Sequence, residues 1–256
     1  MTEDELLLSQ IKDKISECEK NSMITSTDFL DLRKQSVAVS FLKRQKDVKW
    51  ELYGGYDDAE RKVIVFLPFY VDNYYSFIQE NPSELPFVIF RVEKDSFSSL
   101  SHRDYLGALT GMGIKREKLG DIIVDDKGCY FFAKESVSKF IQQNFTSAGR
   151  GTLKINIVTE KKDFSKNIKT EEICCFVASP RVDAVVGSVF SFSRSKSAEI
   201  IEKGLVFVND EQIMKPDFKI KKGDKLVLKG KGRAIIKDDS SKSKKGRIAL
   251  IVEVFV

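Results

Sequence analysis

The chain has 256 residues, of which 42% are hydrophobic and 32% are charged, and its formal net charge is +5. Such a composition predicts a folded chain that is long enough for two or three small domains, and it excludes an intrinsically disordered one. The sequence contains no run of eighteen apolar residues, so no transmembrane helix is predicted.

The N-terminal segment and the cysteines predict a cytoplasmic protein. MTEDELLLSQIKDK has acidic residues where a signal peptide has basic ones. The four cysteines show neither Cys-x-x-Cys nor Cys/His zinc spacing, and the chain has one histidine. We therefore expect no membrane segment, no metal, no cofactor and no disulfide framework.

The positive charge is concentrated in the last third of the chain. Residues 180–256 contain 17 Lys+Arg and 10 Asp+Glu, a net charge of +7, which leaves 26 and 28 for residues 1–179, a net charge of −2. A basic domain suggests a polyanionic partner such as RNA, although basic composition alone is a weak indication.

Helical patterns open the chain. Apolar residues at helical spacing predict a helix over 4–20 and a second over 27–45, with Ser26 or Thr27 as its cap. The run VIVFLPFY then predicts a strand, in which Pro68 indicates an edge strand or a strand end.

Residues 85–165 alternate between strand and helix patterns. Their order is strand (PFVIFRVEK), helix (SHRDYLGALTGMG), two strands about a turn (DIIVDDKGCYFFA), helix (ESVSKFIQQNF) and strand (TLKINIV). This β-α-β-β-α-β order predicts a sheet with two helices on one face. RNA-recognition domains use that arrangement, and so do many unrelated proteins, so the order alone does not define a function.

Residues 175–256 predict two short helices on a small sheet. The first helix has an apolar face that starts at Val182, and the second runs from a Ser193 cap to Gly204, with Ala198, Ile201 and Leu205 facing inward. Two strands follow, then a solvated loop over 237–246 and a last alternating strand, RIALIVEVFV.

The start of the second helix is cationic, although the helix dipole disfavours positive charge there. A helix N-terminus offers free N–H groups to an anion, and the hydroxyls of Ser193 and Ser195 with the cations of Arg194 and Lys196 would complete a phosphate site. The structural alternatives are that Ser193 is only a cap, that Arg181 pairs with a neighbouring carboxylate such as Asp183, and that the lysines are solvated.

The spaced series of residues in this region resembles the S-four domain, an RNA-binding motif of ribosomal proteins, pseudouridine synthases and tyrosyl-tRNA synthetases. The series is Arg181-Val182-Asp183, Phe192 to Ser197, Lys203-Gly204, Val206 to Asn209 and Lys222-Gly223-Asp224. The family has Leu at the second position and an Asn-Gly turn where this chain has Asn209-Asp210. The resemblance implies these RNA-binding residues: Arg181, Ser193, Arg194, Ser195, Lys196, Lys203, Asn209 and Lys222.

The segment SHRDYLGALTGMGIKREKLGDIIV, the length and the domain order resemble the YlmH family of bacterial ribosome-associated proteins. The resemblance implies an α+β fold with an N-terminal helical region (1–84), an RNA-recognition-like middle domain (85–165) and a C-terminal S-four-type domain (175–256). It also implies a non-enzymatic protein that binds rRNA or tRNA on the large ribosomal subunit during rescue of subunits with a stalled peptidyl-tRNA. We expect a monomer.

Several features leave alternatives open. Lys115 and Arg116 follow a helix and are secondary candidates for RNA contact, with solvation as the alternative. Tyr70, Tyr74 and Tyr75 are candidates for stacking on bases, with packing as the alternative. His102 fits a capping or surface position better than a catalytic one.

Two other functions compete with the RNA-binding one. An RNA-modifying enzyme, of the pseudouridine synthase or rRNA methyltransferase type, would need a larger catalytic domain or a Gly-rich cofactor loop, and neither is visible. A protein-interaction adaptor in cell division or stress is compatible with the acidic N-terminal helices, which could hold a protein partner.

Overall fold

The computed structural model of the protein describes residues 2–57, 59–158, 164, 170–242 and 246–255, with the backbone alone for 240–242. The chain divides into two compact units, Met1–Asn167 and Ile168–Val256. The described part contains no helix that is both long and apolar enough to cross a membrane.

The first unit begins with two helices and a small sheet. Its elements are α1 (Glu3–Asn21), β1 (Thr25–Ser26), α2 (Leu32–Leu42), β2 (Lys49–Tyr53), β3 (Val63–Leu67) and α3 (Tyr74–Glu80). The three strands form one antiparallel sheet in the order β1-β3-β2. The helix predicted over 4–20 is confirmed as α1, and in a capping box the Thr2 hydroxyl accepts from the Glu5 N–H while the Glu5 carboxylate accepts from the Thr2 N–H.

One detail of the predicted N-terminal region is wrong, and one of the two alternatives predicted for Pro68 is confirmed. Helix α2 is capped by Asp31, whose carboxylate accepts from the Lys34 N–H at 3.0 Å. Ser26, one of the two predicted caps, belongs to β1 instead. Strand β3 ends just before Pro68, as one alternative predicted, but it is the central strand of its sheet rather than an edge.

The β-α-β-β-α-β prediction is confirmed. The elements are β4 (Val88–Lys94), α4 (His102–Gly111), β5 (Leu119–Asp125), β6 (Gly128–Ala133), α5 (Glu135–Asn144), β7 (Ser147–Ala148) and β8 (Gly151–Ile157). They form a sheet in the order β5-β6-β4-β8-β7. Helices α4 and α5 cover one face, where Phe90 and Phe131 pack with Tyr105, Leu109 and Ile141.

The second face of this sheet is also buried, which the sequence did not predict. Tyr130 and Phe132 of β6 belong to an apolar cluster with Phe29 and Val63 of the N-terminal region. The Phe132 ring meets Phe87 at 5.5 Å between centroids. Residues 1–84 and 85–165 therefore share a core within one compact unit, and their division into two domains stays a prediction.

Lys134 joins three segments of the first unit. Its Nζ donates to Ser26 Oγ at 2.8 Å, to the Thr27 carbonyl at 3.1 Å and to the Pro86 carbonyl at 2.8 Å. Burial lowers the pKa of this ammonium group to about 8, because a charge is poorly solvated in the interior. The N-terminal region is thus fastened to the sheet by a half-buried cation as well as by apolar packing.

The second unit is the predicted pair of helices on a sheet. Its elements are β9 (Thr170–Val177), α6 (Val182–Val189), α7 (Arg194–Glu202), β10 (Val206–Val208), β11 (Glu211–Ile213), β12 (Lys225–Leu228), β13 (Gly232–Lys242) and β14 (Ile248–Phe255). The sheet order is β11-β10-β12-β13-β14-β9. The α+β fold class is confirmed.

One local prediction for the second unit is wrong, and another is confirmed in part. Residues 237–242 are not a loop, because β13 pairs with β14 through two register shifts as far as Lys242; residues 243–245 of the predicted loop lie outside the described residues. Of the three residues predicted to face inward from the second helix, Ile201 is buried, Leu205 packs partly buried against the core, and Ala198 is only half-buried; Ser197 and Ile200 are the other buried residues of α7.

The turn at Asn209-Asp210 forms without the family's glycine. Both residues adopt left-handed backbone angles, with φ of 50° and 65°, and they join β10 directly to β11. Two consecutive positive φ values define the two-residue hairpin turn that matches strand twist, and Asn and Asp tolerate that region better than other side chains. The substitution of Asp for Gly therefore leaves the hairpin intact.

Lys134 makes a testable prediction about pH. In the unfolded chain its pKa is about 10.4, so between about pH 8 and 10.4 the unfolded state binds more protons than the folded state. The free energy of unfolding should then rise with pH in that window, by about 1.4 kcal/mol per pH unit at most. Urea unfolding at pH 7.5 and 9.5 checks this. The Lys134→Met variant should lack the rise, and an equal rise in both proteins would contradict the assignment.

Candidate nucleic-acid interface

The start of α7 is built as a serine-capped helix end. Ser193 is the cap, and its Oγ accepts from the Lys196 N–H at 3.2 Å, so the predicted cap is confirmed. The hydroxyls of Ser193 and Ser195 lie 3.1 Å apart and both residues are exposed. Two exposed hydroxyls therefore lie close together at the N-terminal end of a helix, a position that favours an anion.

Asp183 holds two of the predicted arginines. Its side chain is 4% exposed and accepts from Arg181 through Nε at 3.1 Å and Nη2 at 3.0 Å, and from Arg194 Nε at 3.2 Å. Arg181 Nη2 and Arg194 Nε bond the same oxygen, Oδ2, so the two guanidinium groups lie side by side. The carboxylate also accepts from the Ala184 N–H, which fixes it to the first turn of α6.

The electrostatics of this cluster keep Asp183 ionised. Burial acts to raise the pKa of Asp183, but the hydrogen bonds from Arg181 and Arg194 outweigh it and lower that pKa below its ordinary value. One negative charge against two positive ones leaves the cluster cationic. The side chain of Arg194 is 68% exposed, so the excess charge faces solvent.

The exposed side of α7 carries a second small ion network. Glu199 lies between Lys196, whose Nζ is 3.0 Å from its Oε2, and Lys203, whose Nζ contacts its Oε1. Hydrogen bonds from Lys203 and then Lys196 lower the pKa of Glu199 to about 2. A bound phosphate would have to compete with this carboxylate for the two lysines.

Asn209 and Lys222 lie at two neighbouring turns of the sheet. Asn209 Nδ2 donates to Asp224 at 2.8 Å and its Oδ1 accepts from the Lys225 N–H at 2.9 Å. These bonds tie the hairpin turn to the turn before β12, which is a structural role. Lys222 is exposed, with its Nζ 3.6 Å from Asp238.

Two residues of this surface have contacts that the sequence does not predict: Asp183, which also binds Arg194, and Lys231. The sequence suggests Asp183 only as an alternative partner for Arg181, because its contact with Arg194 spans eleven residues and has no local signal. The Nζ of Lys231 lies over the ring of Phe192, 5.8 Å from the ring centroid. Phe192 directly precedes Ser193, the cap of α7. Lys231 thus adds a cation beside the helix start.

The secondary candidates in the first unit have other contacts. The Arg116 guanidinium donates to the carbonyls of Leu119 at 2.7 Å and Gly120 at 3.0 Å, and burial together with nearby Arg61 lowers its pKa to about 10. Lys115 is exposed. An RNA contact at this pair stays a prediction, and Arg116 has a structural role in any case.

The aromatic candidates separate into buried and exposed ones. Tyr74 is fully buried and its hydroxyl donates to the Glu84 carbonyl at 2.8 Å, so base stacking there is excluded. Tyr70 and Tyr75 are about half exposed. RNA-recognition domains stack bases on aromatic residues of the open sheet face, but here Tyr130 and Phe132 on that face are covered by the N-terminal region.

Family comparisons agree with both parts of this architecture. Residues 181–226 match the family model described as "S4 domain", the S-four domain of the sequence comparison. Residues 83–164 match the one described as "Putative RNA-binding domain in YlmH". The protein is thus an S4-domain protein with an RNA-recognition-like domain before it.

A relative extends the similarity to most of the chain. It is "Ribosome-associated protein quality control protein P2" of Bacillus subtilis (strain 168), 35% identical over 228 residues, which are 86% of this chain and 83% of the relative. The chain belongs to the YlmH family, as the sequence predicted. A solved structure, "Cell division protein ylmH from Streptococcus pneumoniae", covers 62% of this chain and 92% of its own, with 15% identity and a TM-score of 0.48.

The buried position of Asp183 makes a prediction about stability. Asp183→Asn removes the charge that holds both arginines, and we expect the free energy of unfolding of the second unit to fall by about 1–3 kcal/mol at pH 7. Because the pKa of Asp183 is lowered by folding, its stabilisation is present above about pH 3.9 and is lost as pH falls through the folded pKa. Thermal unfolding at pH 7 and pH 3 checks this: the difference between wild type and variant should shrink at pH 3. A constant difference would mean that the charge contributes nothing.

Proposed function

We propose that this chain is a non-enzymatic RNA-binding protein that associates with the ribosome in the cytoplasm. The observation that carries the proposal is the pair of guanidinium groups held by Asp183 beside the serine-capped start of α7. The net charge of +7 over residues 180–256 supports a polyanionic ligand.

The chemistry of the cluster suits phosphate oxygens. A guanidinium group has five N–H donors. Asp183 accepts only from the donors that face it, which are Nε and Nη2 of Arg181 and Nε of Arg194. Charge-assisted hydrogen bonds from arginine to phosphate are about twice as strong as neutral ones. Structured RNA is bound mainly through phosphates, 2′-hydroxyls and shape, because side chains cannot enter its deep major groove. A rigid group of arginines and hydroxyls fits that mode of recognition.

The ribosome is the partner that the family suggests. The Bacillus subtilis relative is named as a ribosome-associated quality control protein. We infer that this chain holds rRNA, tRNA or both on the large subunit, in rescue of subunits that still carry a stalled peptidyl-tRNA. Arg181, Arg194, Lys196, Lys203 and Lys222 would contact phosphates, and Ser193 and Ser195 would donate hydroxyls.

An RNA-modifying enzyme is the alternative that remains testable. Among the described residues no group of His, Cys, Asp and Glu side chains is arranged to hold a metal ion. The proposal assigns no catalytic residue, metal or cofactor to this chain. Heat released on titration with S-adenosylmethionine would favour a methyltransferase instead.

The arginine cluster predicts how the protein binds ribosomal subunits. We expect the wild type to sediment with the large subunit, and Arg181→Ala/Arg194→Ala/Lys196→Ala to bind at least tenfold more weakly at moderate salt. Because each lost phosphate contact removes about 0.7–0.9 from the slope of log K against log salt, the slope should fall by about two or more.

The control for that experiment removes the same charge elsewhere. Lys20→Ala/Lys43→Ala/Arg44→Ala loses three exposed cations from the first unit and should bind like the wild type. Circular dichroism must show that both triple variants are folded. Equal binding by wild type and cluster variant would move the RNA contact out of the second unit, and no binding by either would favour the adaptor function.

Two substitutions that each remove one negative charge should have opposite effects on RNA affinity. Glu199→Gln releases Lys196 and Lys203 from a competing carboxylate, so we expect tighter binding, by about two- to fivefold, because exposed ion pairs are weak. Asp183→Asn frees the two arginines from their shared support, so we expect weaker binding despite the gain in positive charge. Fluorescence anisotropy with a labelled rRNA fragment checks both, and tighter binding by both would show that charge alone decides affinity.

A further inference from the structure

The connection between α6 and α7 fixes the place of Phe192. Helix α6 ends at Val189, and Ser191 follows with a left-handed φ of 59°. The Phe192 N–H then donates to the Gly187 carbonyl at 2.9 Å, which is the hydrogen bond that closes a helix in a Schellman motif. The half-buried Phe192 side chain packs against the apolar core of the second unit, and the next residue is Ser193, the cap of α7. The aromatic ring is therefore held in place directly before the helix start.

The turn between β12 and β13 brings Lys231 over that ring. The Nζ of Lys231 lies 5.8 Å from the centroid of the Phe192 ring, and the Lys231 N–H donates to the Leu228 carbonyl at 3.0 Å. Gly230 and Gly232, on either side of Lys231, have positive φ values of 78° and 143°, which glycine adopts readily. The backbone of the turn and the cation–π contact together place the ammonium group next to the residue that precedes the α7 cap.

Lys231 differs from the lysines that we propose as RNA contacts in having no carboxylate partner. Among the residues that the structure describes, it forms no ion pair, and its contact is with a neutral ring. The other lysines are paired with carboxylates: Lys196 and Lys203 with Glu199, and Lys222 with Asp238. A phosphate would therefore not have to displace a carboxylate from Lys231.

The charges of the two segments favour an anion at this place. Residues 190–196 and 229–233 together contain five Lys+Arg and no Asp or Glu. Asp183, the carboxylate that contacts Arg194, is buried and already accepts from two arginines. The exposed hydroxyls of Ser193 and Ser195 can donate to phosphate oxygens. Because Phe192 leads directly into Ser193 and Arg194, an RNA phosphate is the anion that this surface suits.

We propose that Lys231 is a phosphate-binding residue of the RNA site and that Phe192 is its positioning residue. This inference rests on the proposed RNA binding, and it extends the site beyond residues 181–226, which match the S4 domain model. Because its ammonium group is held over a ring, Lys231 loses less rotamer freedom on binding than a solvated lysine does. The RNA backbone is then held from two elements of the fold, the start of α7 and the turn between β12 and β13.

The test measures binding of a labelled RNA stem-loop to the full-length protein by fluorescence anisotropy over a range of salt concentrations. Lys231→Gln should weaken binding at least threefold and lower the slope of log K against log salt by about 0.7–0.9, which is the loss of one phosphate contact. Lys231→Arg keeps the charge and can stack on the ring, so it should bind like the wild type. In ¹H–¹⁵N spectra of the wild type, the RNA should shift the amides of residues 229–233 together with those of 191–197.

A double-mutant cycle tests the role of Phe192. Phe192→Leu keeps an apolar side chain against the core but removes the ring, so it should weaken RNA binding at least twofold when Lys231 is present. In the Lys231→Gln background the same substitution should have no further effect, because no ammonium group is left to position. Phe192→Tyr keeps the ring and should bind like the wild type. Equal weakening by Phe192→Leu in both backgrounds would overturn the positioning role.

Lys229→Gln is the matched control. It removes the same charge from the same turn, and Lys229 is exposed like Lys231. We expect it to change RNA binding less than twofold, and circular dichroism must show that every variant is folded. Equal weakening by Lys229→Gln and Lys231→Gln would show that only the total charge of the turn matters, and the inference would then be wrong.

Four further results separate this inference from the proposed function. If Arg181→Ala/Arg194→Ala/Lys196→Ala loses RNA while Lys231→Gln binds like the wild type, the inference is wrong and the proposed function stands. If the wild type binds no RNA, both are wrong. Polyglutamate that competes as well as unlabelled RNA would assign the surface to an acidic protein. An affinity that requires a 5′-phosphate on the RNA would assign Lys231 to a chain end instead of the backbone.

Discussion

The first unit depends on one constraint, which is that both faces of its five-stranded sheet carry large apolar side chains. Helices α4 and α5 can cover only the face of Phe90 and Phe131. Tyr130 and Phe132 would leave the opposite face open to water, and the N-terminal strands and Phe29 bury it. RNA-recognition domains stack bases on one open sheet face, whereas in this protein the corresponding face is part of the core.

The second unit depends on a buried carboxylate in a similar way. Two guanidinium groups repel each other when they lie side by side, and Asp183 offsets that repulsion while it is itself kept ionised by them. The start of α7 can therefore carry positive charge that the helix dipole alone would oppose. The charge of Asp183 thus allows Arg181 and Arg194 to lie next to each other at the start of the folded helices α6 and α7.

Local signals made much of this predictable, and long-range pairing explains most of what was missed. Helix α1, the hairpin at Asn209 and the cap at Ser193 follow from periodicity, turn chemistry and capping, which involve residues close in sequence. Strand β13 contains the charged and serine-rich residues 237–242, and its pairing with β14 extends the strand through them. Burial of the second sheet face and the contact between Asp183 and Arg194 also bring together residues that are far apart in sequence. No local sequence pattern predicts such contacts.

The covered sheet face also fixes an order of events during synthesis. The N-terminal strands leave the ribosome first, but their partners come much later in the chain: Asp28, for example, pairs with Lys118, 90 residues further on. At about 5–20 residues per second, that partner follows after roughly 5–18 seconds. For that interval Phe29 and its neighbours are without the five-stranded sheet that buries them, so each new molecule passes through a stage in which helices α1 and α2 can pack on one face of the N-terminal sheet while its other apolar face stays open to water.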